Sequence, residues 1–203
     1  MSTFLPKHRW DYLFTIADHS SKLDGNMAEL GVAYGNVCLE LARNHGHKKI
    51  YAFDTFEGFS ALPDEYFDAS PKFDINFYKK NFHQEHEWDR NWGNNFPWKV
   101  ILERLQQHTN IIIKKGVFPD TSLGLENERY CFVHLDVDIY SSTLSGLEYF
   151  YNRMVSGGNI VIDDFFLKDR YPGVKDAVDE AIRRFNIPTV SVTCEGQCVI
   201  TKP

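Results

Sequence analysis

Four aspartates carry the strongest chemical signal in the sequence. Asp136 ends the apolar run Phe132-Val-His-Leu135, and Asp163 and Asp164 end the run Ile160-Val-Ile162. Asp138 stands two residues beyond Asp136. If the two runs are neighbouring parallel strands, their carboxyl ends share one sheet edge, about 4.8 Å apart. Open α/β sheets bind ligands at that edge. Two like charges about 4 Å apart repel by roughly 4 kcal/mol at an effective dielectric near 20. Asp136, Asp163 and Asp164 converging there would need a raised pKa or a cation. All-oxygen donors suit Mg2+ or Ca2+, and Mg2+ keeps positions open for water or substrate oxygens. The alternative is that these acids are separate caps and surface charges. In an extended chain the Asp138 side chain points the same way as that of Asp136. Asp138 is then either a general base or the cap of the next segment, Tyr140-Ser-Ser-Thr143. His134, inside an apolar run, reads first as a satisfied core histidine and second as a ligand.

A second group lies earlier. Glu29-Leu-Gly31-Val-Ala-Tyr-Gly35-Asn succeeds an apolar run and opens a helix. Glycines there allow a tight turn and a close approach of backbone to a ligand. The glycines are four apart with Ala33 between them, so the GxGxxG fingerprint is absent. Asp54 ends the next run, nineteen residues after Gly35. An acid at that place binds ribose hydroxyls in nucleotide-binding sheets, so the pair points to an adenosine-type cofactor. The alternative for Asp54 is a helix cap or turn residue.

Positioning these groups on one edge requires a parallel sheet. Short, continuously apolar runs recur at Met27–Val32, Ile50–Phe53, Asn110–Ile113, Cys131–Leu135 and Asn159–Ile162. Such runs read as strands buried on both faces. Helical stretches separate them, at Asn36–Asn44, Trp98–His108, Thr143–Val155 and Val174–Phe185. The alternation predicts a doubly wound α/β sheet. Thr189–Thr193 and Cys198–Thr201 predict a closing antiparallel hairpin on Glu195-Gly196. A short helix within Pro6–His19 could pair two chains. Residues 63–98 break the rhythm with ten aromatic side chains, beside His83 and His86. An insert this long is either a lid or substrate wall, or a small satellite packed on the sheet.

Composition sets the outer bounds. The 203 residues predict one domain spanning 1–203. A hydrophobic fraction of 43% with 25% charged residues excludes wholesale disorder. A formal charge of −6 argues against nucleic-acid or anionic-membrane partners. No apolar stretch is long enough for a membrane span. The start MSTFLPKHRWDYLF lacks an apolar core, so no signal peptide is expected and the cytoplasm is the default compartment. The four cysteines Cys38, Cys131, Cys194 and Cys198 form no metal pattern and read as small buried hydrophobes.

Ala28–Gly35 resembles motif I of class I S-adenosylmethionine methyltransferases. Asp54–Phe59, Lys115–Thr121, His134-Leu-Asp-Val-Asp-Ile-Tyr-Ser-Ser-Thr143 and Gly157-Gly-Asn-Ile-Val-Ile-Asp-Asp164 narrow the likeness. Together they are similar to the macrocin O-methyltransferase family, which methylates hydroxyls on antibiotic sugars. The likeness runs from about residue 27 to the end. It implies a seven-stranded sheet in the order 3-2-1-4-5-7-6, with S-adenosylmethionine and Mg2+ as cofactors. Glu29, Gly31 and Gly35 would border the methionine moiety, and Asp54 would hold the ribose with Thr55 and Phe56 nearby. Gly116 and Val117 would lie near the adenine. Asp136, Asp163 and Asp164 would ligate Mg2+, Asp138 would be the catalytic base, and Asp136 would serve both cofactor and catalysis. Ala33 departs from the general motif I. The arm before it is short, and residues 63–98 match no family element.

The expected reaction is in-line methyl transfer from the sulfonium to a hydroxyl oxygen. A cation at that oxygen lowers its pKa, and two open metal positions favour a vicinal diol on a sugar or a catechol. Two other classes compete. An NAD-linked oxidoreductase would use the glycine turn and Asp54 but not the acids on the later strands. A non-catalytic module would bind the cofactor and need no acid group at all.

Overall fold

The computed structural model describes residues 5–58, 98–167, 171–188, 190–192 and 196–203. Seven strands form one sheet: β1 (Asn26–Leu30), β2 (Ile50–Asp54), β3 (Ile111–Lys115), β4 (Tyr130–Leu135), β5 (Met154–Ile162), β6 (Val190–Val192) and β7 (Cys198–Thr201). Their order is β3-β2-β1-β4-β5-β7-β6, as the family resemblance implies. The first five are parallel. β7 runs antiparallel to both β5 and β6.

Helices cover both faces. α1 (Lys7–Ser20), α2 (Asn36–Asn44) and α3 (Trp98–Gln106) lie on one side, and α4 (Tyr140–Tyr151) and α5 (Pro172–Phe185) on the other. Each helix buries an apolar stripe of helical period. In α1 the stripe includes Leu13, Phe14 and Ala17; in α5 it is Val174, Ala177, Val178 and Ala181. All six residues of β4 are buried, which explains its unbroken apolar run. Strand alternation sends Met27, Phe132 and Val161 to the α1 side and Ala28, Val133 and Ile160 to the α4 side. On the α4 side, Phe53, Phe118, Tyr130, Tyr149 and Phe150 pack largely edge to face. Burying one such ring contributes about 1.5–3 kcal/mol.

Several expected boundaries shift. α4 begins at Tyr140, before Thr143, because Ser141, Ser142 and Thr143 sit inside the first turn. There the Thr143 hydroxyl donates to the Ile139 carbonyl at 2.8 Å. The same helix stops at Tyr151, and Met154 and Val155 open β5 instead. The register passes from Tyr130↔Met154 to Phe132↔Asn159, so extra residues around Gly157-Gly158 bulge out of the strand. That bulge hid the early start of β5 in the sequence. In the C-terminal hairpin Val192 faces Cys198, and Glu195 of the expected turn lies outside the described residues. Residues 193–195, Cys194 among them, lie outside the described residues, as does all of the aromatic insert except Trp98, which begins α3. Cys38, Cys131 and Cys198 are buried and unlinked. No described helix is long and apolar enough to cross a membrane.

Candidate active site

Backbone strain marks one edge of the sheet. Five non-glycine residues among those described have a positive φ: Ala33, Phe56, Asp138, Asp164 and Asn186. The first four come after β1, β2, β4 and β5 at their carboxyl ends. Only Asn186 lies elsewhere, at the C-terminus of α5. A left-handed non-glycine residue costs of order 1–3 kcal/mol and persists only where the surroundings impose it. Such residues gather at functional sites.

The loop after β1 is held from three sides. Gly31 has φ +89°, and a Cβ there would meet the Asp136 carbonyl oxygen at 1.9 Å. Gly35 has φ +75° and caps α2. One Glu29 oxygen accepts the Cys38 backbone N–H at 3.0 Å, in the first turn of α2, where a carboxylate also complements the helix dipole. The other lies 3.2 Å from Nδ1 of His134, the residue directly across β1 and β4 from Glu29. Glu29 and His134 are both buried. Glu29 therefore ties strand, helix and neighbouring strand together beneath the loop, and His134 is a core residue with a buried polar partner.

Asp54 gathers the next two loops. One of its oxygens accepts the backbone N–H groups of Val32 at 2.7 Å and Ala33 at 3.1 Å. The other accepts the Phe56 N–H at 2.7 Å and faces the Thr55 hydroxyl at 3.4 Å. Burial pushes the Asp54 carboxyl up, and those hydrogen bonds oppose the shift. Phe56 turns its ring into the core against Trp98. Gly116 lies just past β3, where its N–H donates to the Asp54 carbonyl at 3.0 Å, and Val117 is next to it in the chain. Glu29, Gly31, Gly35, Asp54, Thr55, Phe56, Gly116 and Val117 thus belong to one continuous edge, with Glu29 and Phe56 directed inward.

The acids stand beside that loop. The ladder continues past the strands: the Asp136 N–H donates to Leu30 O and the Asp163 N–H to Leu135 O, each at 2.9 Å. Beyond it the left-handed turns at Asp138 and Asp164 redirect the chain. Carboxylate oxygens of Asp136, Asp138 and Asp164 all lie within 4.8 Å of one another. Burial raises the Asp136 carboxyl well above the ordinary range, and the charges of Asp163, Asp138, Asp164 and Glu29 add to the shift. Asp163 stands outside that group of three, though its charge acts on Asp136 more than that of any other acid. Its Oδ1 lies 3.2 Å from Arg9 Nη1, which also stands 3.5 Å from Asp164 Oδ1.

Of the aspartates read as ligands, the fold brings Asp136 and Asp164 together with Asp138, and it sets both Asp163 and Asp164 against the Arg9 guanidinium. Hard carboxylate oxygens at this spacing suit a divalent cation such as Mg2+. The space a Gly31 side chain would take is filled by the Asp136 carbonyl, which packs the loop directly against the turn that carries the acids. The sequence alone did not point to Arg9. Its signal was its place: residues 9, 13, 17 and 20 form the buried stripe of α1, and a cation on such a stripe needs an acid opposite.

Among known proteins, the family model described as Macrocin-O-methyltransferase (TylF) matches residues 3–200. Demethyldecarbamoylnovobiocin O-methyltransferase of Streptomyces niveus is 24% identical over 183 residues, covering 86% of this chain and 64% of that protein. The 8-demethyl-8-(2,3-dimethoxy-alpha-L-rhamnosyl)-tetracenomycin-C 4'-O-methyltransferase of Streptomyces olivaceus is 35% identical over 179 residues, covering 80% of this chain and 60% of that protein. The chain therefore spans somewhat less than two thirds of either relative. The solved structure of the O-methyltransferase NovP superposes with a TM-score of 0.74 at 19% identity, over 98% of this chain and 81% of that one.

Proposed function

The chain belongs to the macrocin-O-methyltransferase family, and from that premise we propose that it methylates a sugar hydroxyl of a glycosylated natural product, using S-adenosylmethionine and Mg2+. The observation that carries this reading is the meeting of Asp136, Asp138 and Asp164 within 4.8 Å, beside the Gly31–Gly35 loop. An NAD-linked oxidoreductase has no use for that group, and neither has a module that only binds.

S-adenosylmethionine, when bound, supplies an electrophilic methyl on a sulfonium. Mg2+, when bound, supplies a Lewis acid that makes an alcohol easier to deprotonate. The rest falls to the chain. The Gly31–Gly35 loop and the N-terminus of α2 seat the donor, with Glu29 holding the loop from below. Asp54, Thr55, Gly116 and Val117 frame the nucleoside end. Asp136 and Asp164 hold the cation, and Asp163 supports them from the Arg9 side. Asp138 takes the acceptor's hydroxyl proton onto a carboxylate oxygen, a step worth roughly 10²–10⁴ in rate when the geometry is met.

The acceptor class is a vicinal diol, because a cation held by the Asp136 and Asp164 carboxylates leaves room for two adjacent oxygens. The name of the Streptomyces olivaceus relative describes a 4' oxygen on a sugar that carries methoxy groups at positions 2 and 3. The neighbour of that 4' oxygen is a methyl ether, so the name gives vicinal oxygenation and not a free diol.

The test is a panel of glycosides offered to the purified chain with labelled S-adenosylmethionine and Mg2+. Methyl ethers from diol-bearing sugars, with little from matched monodeoxy sugars, are expected. Donor binding without a methyl ether from any glycoside would overturn the reading.

A further inference from the structure

We propose that Arg9 is a resident counter-ion of the acid group, competing with a divalent cation for Asp164 and thereby setting that cation's affinity. The inference rests on the cation reading above and extends the site to α1.

Three observations carry it. The guanidinium lies 3.2 Å from Asp163 Oδ1 and 3.5 Å from Asp164 Oδ1. Asp164 is also one of the three acids that could hold an ion, so one carboxylate faces both cations. The guanidinium also packs closely against Gly196. A Cβ at Gly196 would stand 2.0 Å from Arg9 Nη2, and the φ of +133° at Gly196 disfavours any side chain there.

Arg9 is only 8% exposed, so its charge is weakly screened by solvent. Two cations that share a carboxylate in such a place repel each other. Arg9 therefore offsets the mutual repulsion of Asp163 and Asp164, and it limits how tightly a second cation is held. It touches no reacting atom; it is a positioning residue. Because it projects from α1, the docking of that helix and the occupancy of the acid group become linked, and linkage of this kind is reciprocal.

A merely structural arginine would pin α1 to the sheet and leave cation affinity alone. Mn2+ titration of the full chain, monitored by electron paramagnetic resonance, separates the two roles. The proteins compared are the wild type, Arg9→Met and Arg9→Lys, each also unfolded thermally with and without Mn2+. Arg9→Met is expected to bind Mn2+ about tenfold more tightly than wild type, as loss of a nearby weakly screened positive charge requires. Its melting temperature should fall without Mn2+ and recover more on adding it than the wild type gains. Arg9→Lys keeps the charge and is expected to bind within about twofold of wild type. Should Arg9→Met not fold, Arg9→Gln drops the charge while keeping hydrogen-bond donors and reads the same quantity. Equal or weaker Mn2+ binding by the neutral variants, with wild type binding normally, would overturn this inference alone. Wild type that binds no Mn2+ would overturn the cation reading and this inference with it.

Discussion

The backbone of Gly31 is packed against the carbonyl of Asp136 so closely that a methyl group on Gly31 would stand 1.9 Å from that oxygen. The loop proposed to seat the donor and the turn that carries the acids therefore meet in one contact, made at the ends of adjacent strands β1 and β4. Gly31→Ala must both relieve that overlap and adopt a φ of +89°, where a side chain is strained. A loss of more than about 1 kcal/mol in urea unfolding is expected, since the new residue cannot take the native conformation without strain. Mn2+ and S-adenosylmethionine affinity should fall together. Loss of one with the other intact would show that the two halves of the site are built separately.

Glu29 and His134 form a buried bridge between β1 and β4, and Glu29 also receives the first turn of α2. Glu29→Gln keeps the shape and removes the charge. A loss of about 1–3 kcal/mol is expected, because buried donors lose a charged acceptor. A double-mutant cycle with His134→Ala should return a coupling of about 0.5–3 kcal/mol. Additive effects would mean that the 3.2 Å contact contributes nothing.

Much of this was legible in the sequence, and the limits have physical causes. The alternation of buried runs and helices gave the parallel sheet because strands covered on both faces must be apolar throughout. The terminal aspartates of two such runs pointed to one edge for the same reason. Which acids actually converge was not legible. Asp138 joins Asp136 and Asp164 because two left-handed residues turn the chain, and nothing in an aspartate's identity announces a φ of +62° or +57°. Asp163 faces Arg9, a partner 154 residues away in the chain, and no local pattern reports a pairing so distant. Glu29 was expected beside the cofactor by resemblance. Its inward direction depends on His134, whose burial was legible and whose partner was not.

His45 offers a pH test away from the acids. It is buried beside Asp18, with Nε2 3.3 Å from an Asp18 oxygen. Burial holds its pKa below the ordinary 6.5, outweighing the pull of Asp18. The unfolded chain then takes up a proton at His45 before the folded chain does. Stability from this group is full above the ordinary histidine pKa and is lost as pH falls toward the lower folded value. Thermal unfolding from about pH 7.5 to about pH 5 should therefore show a loss that His45→Gln reduces. Equal slopes for the two proteins would contradict the assignment.

Asp138 and Asp163 should separate by readout. Asp138→Asn is expected to lower kcat by roughly 10²–10⁴ with little change in KM for the acceptor, as loss of a proton acceptor in the transition state requires. Asp163→Asn removes the charge that Arg9 Nη1 meets at 3.2 Å, and its main effect should be on stability, by up to about 3–5 kcal/mol for a broken buried pair. Steady-state kinetics and urea unfolding of both variants decide the matter. A normal kcat for Asp138→Asn would remove it as the base.

The most direct measurement is methyl transfer to a diol-bearing glycoside by the same protein before chelation, after chelation, and after Mg2+ is returned. Turnover should vanish with the chelator and return with Mg2+. Undiminished turnover in chelator would contradict the assignment of Asp136 and Asp164 to a cation that activates the acceptor beside Asp138.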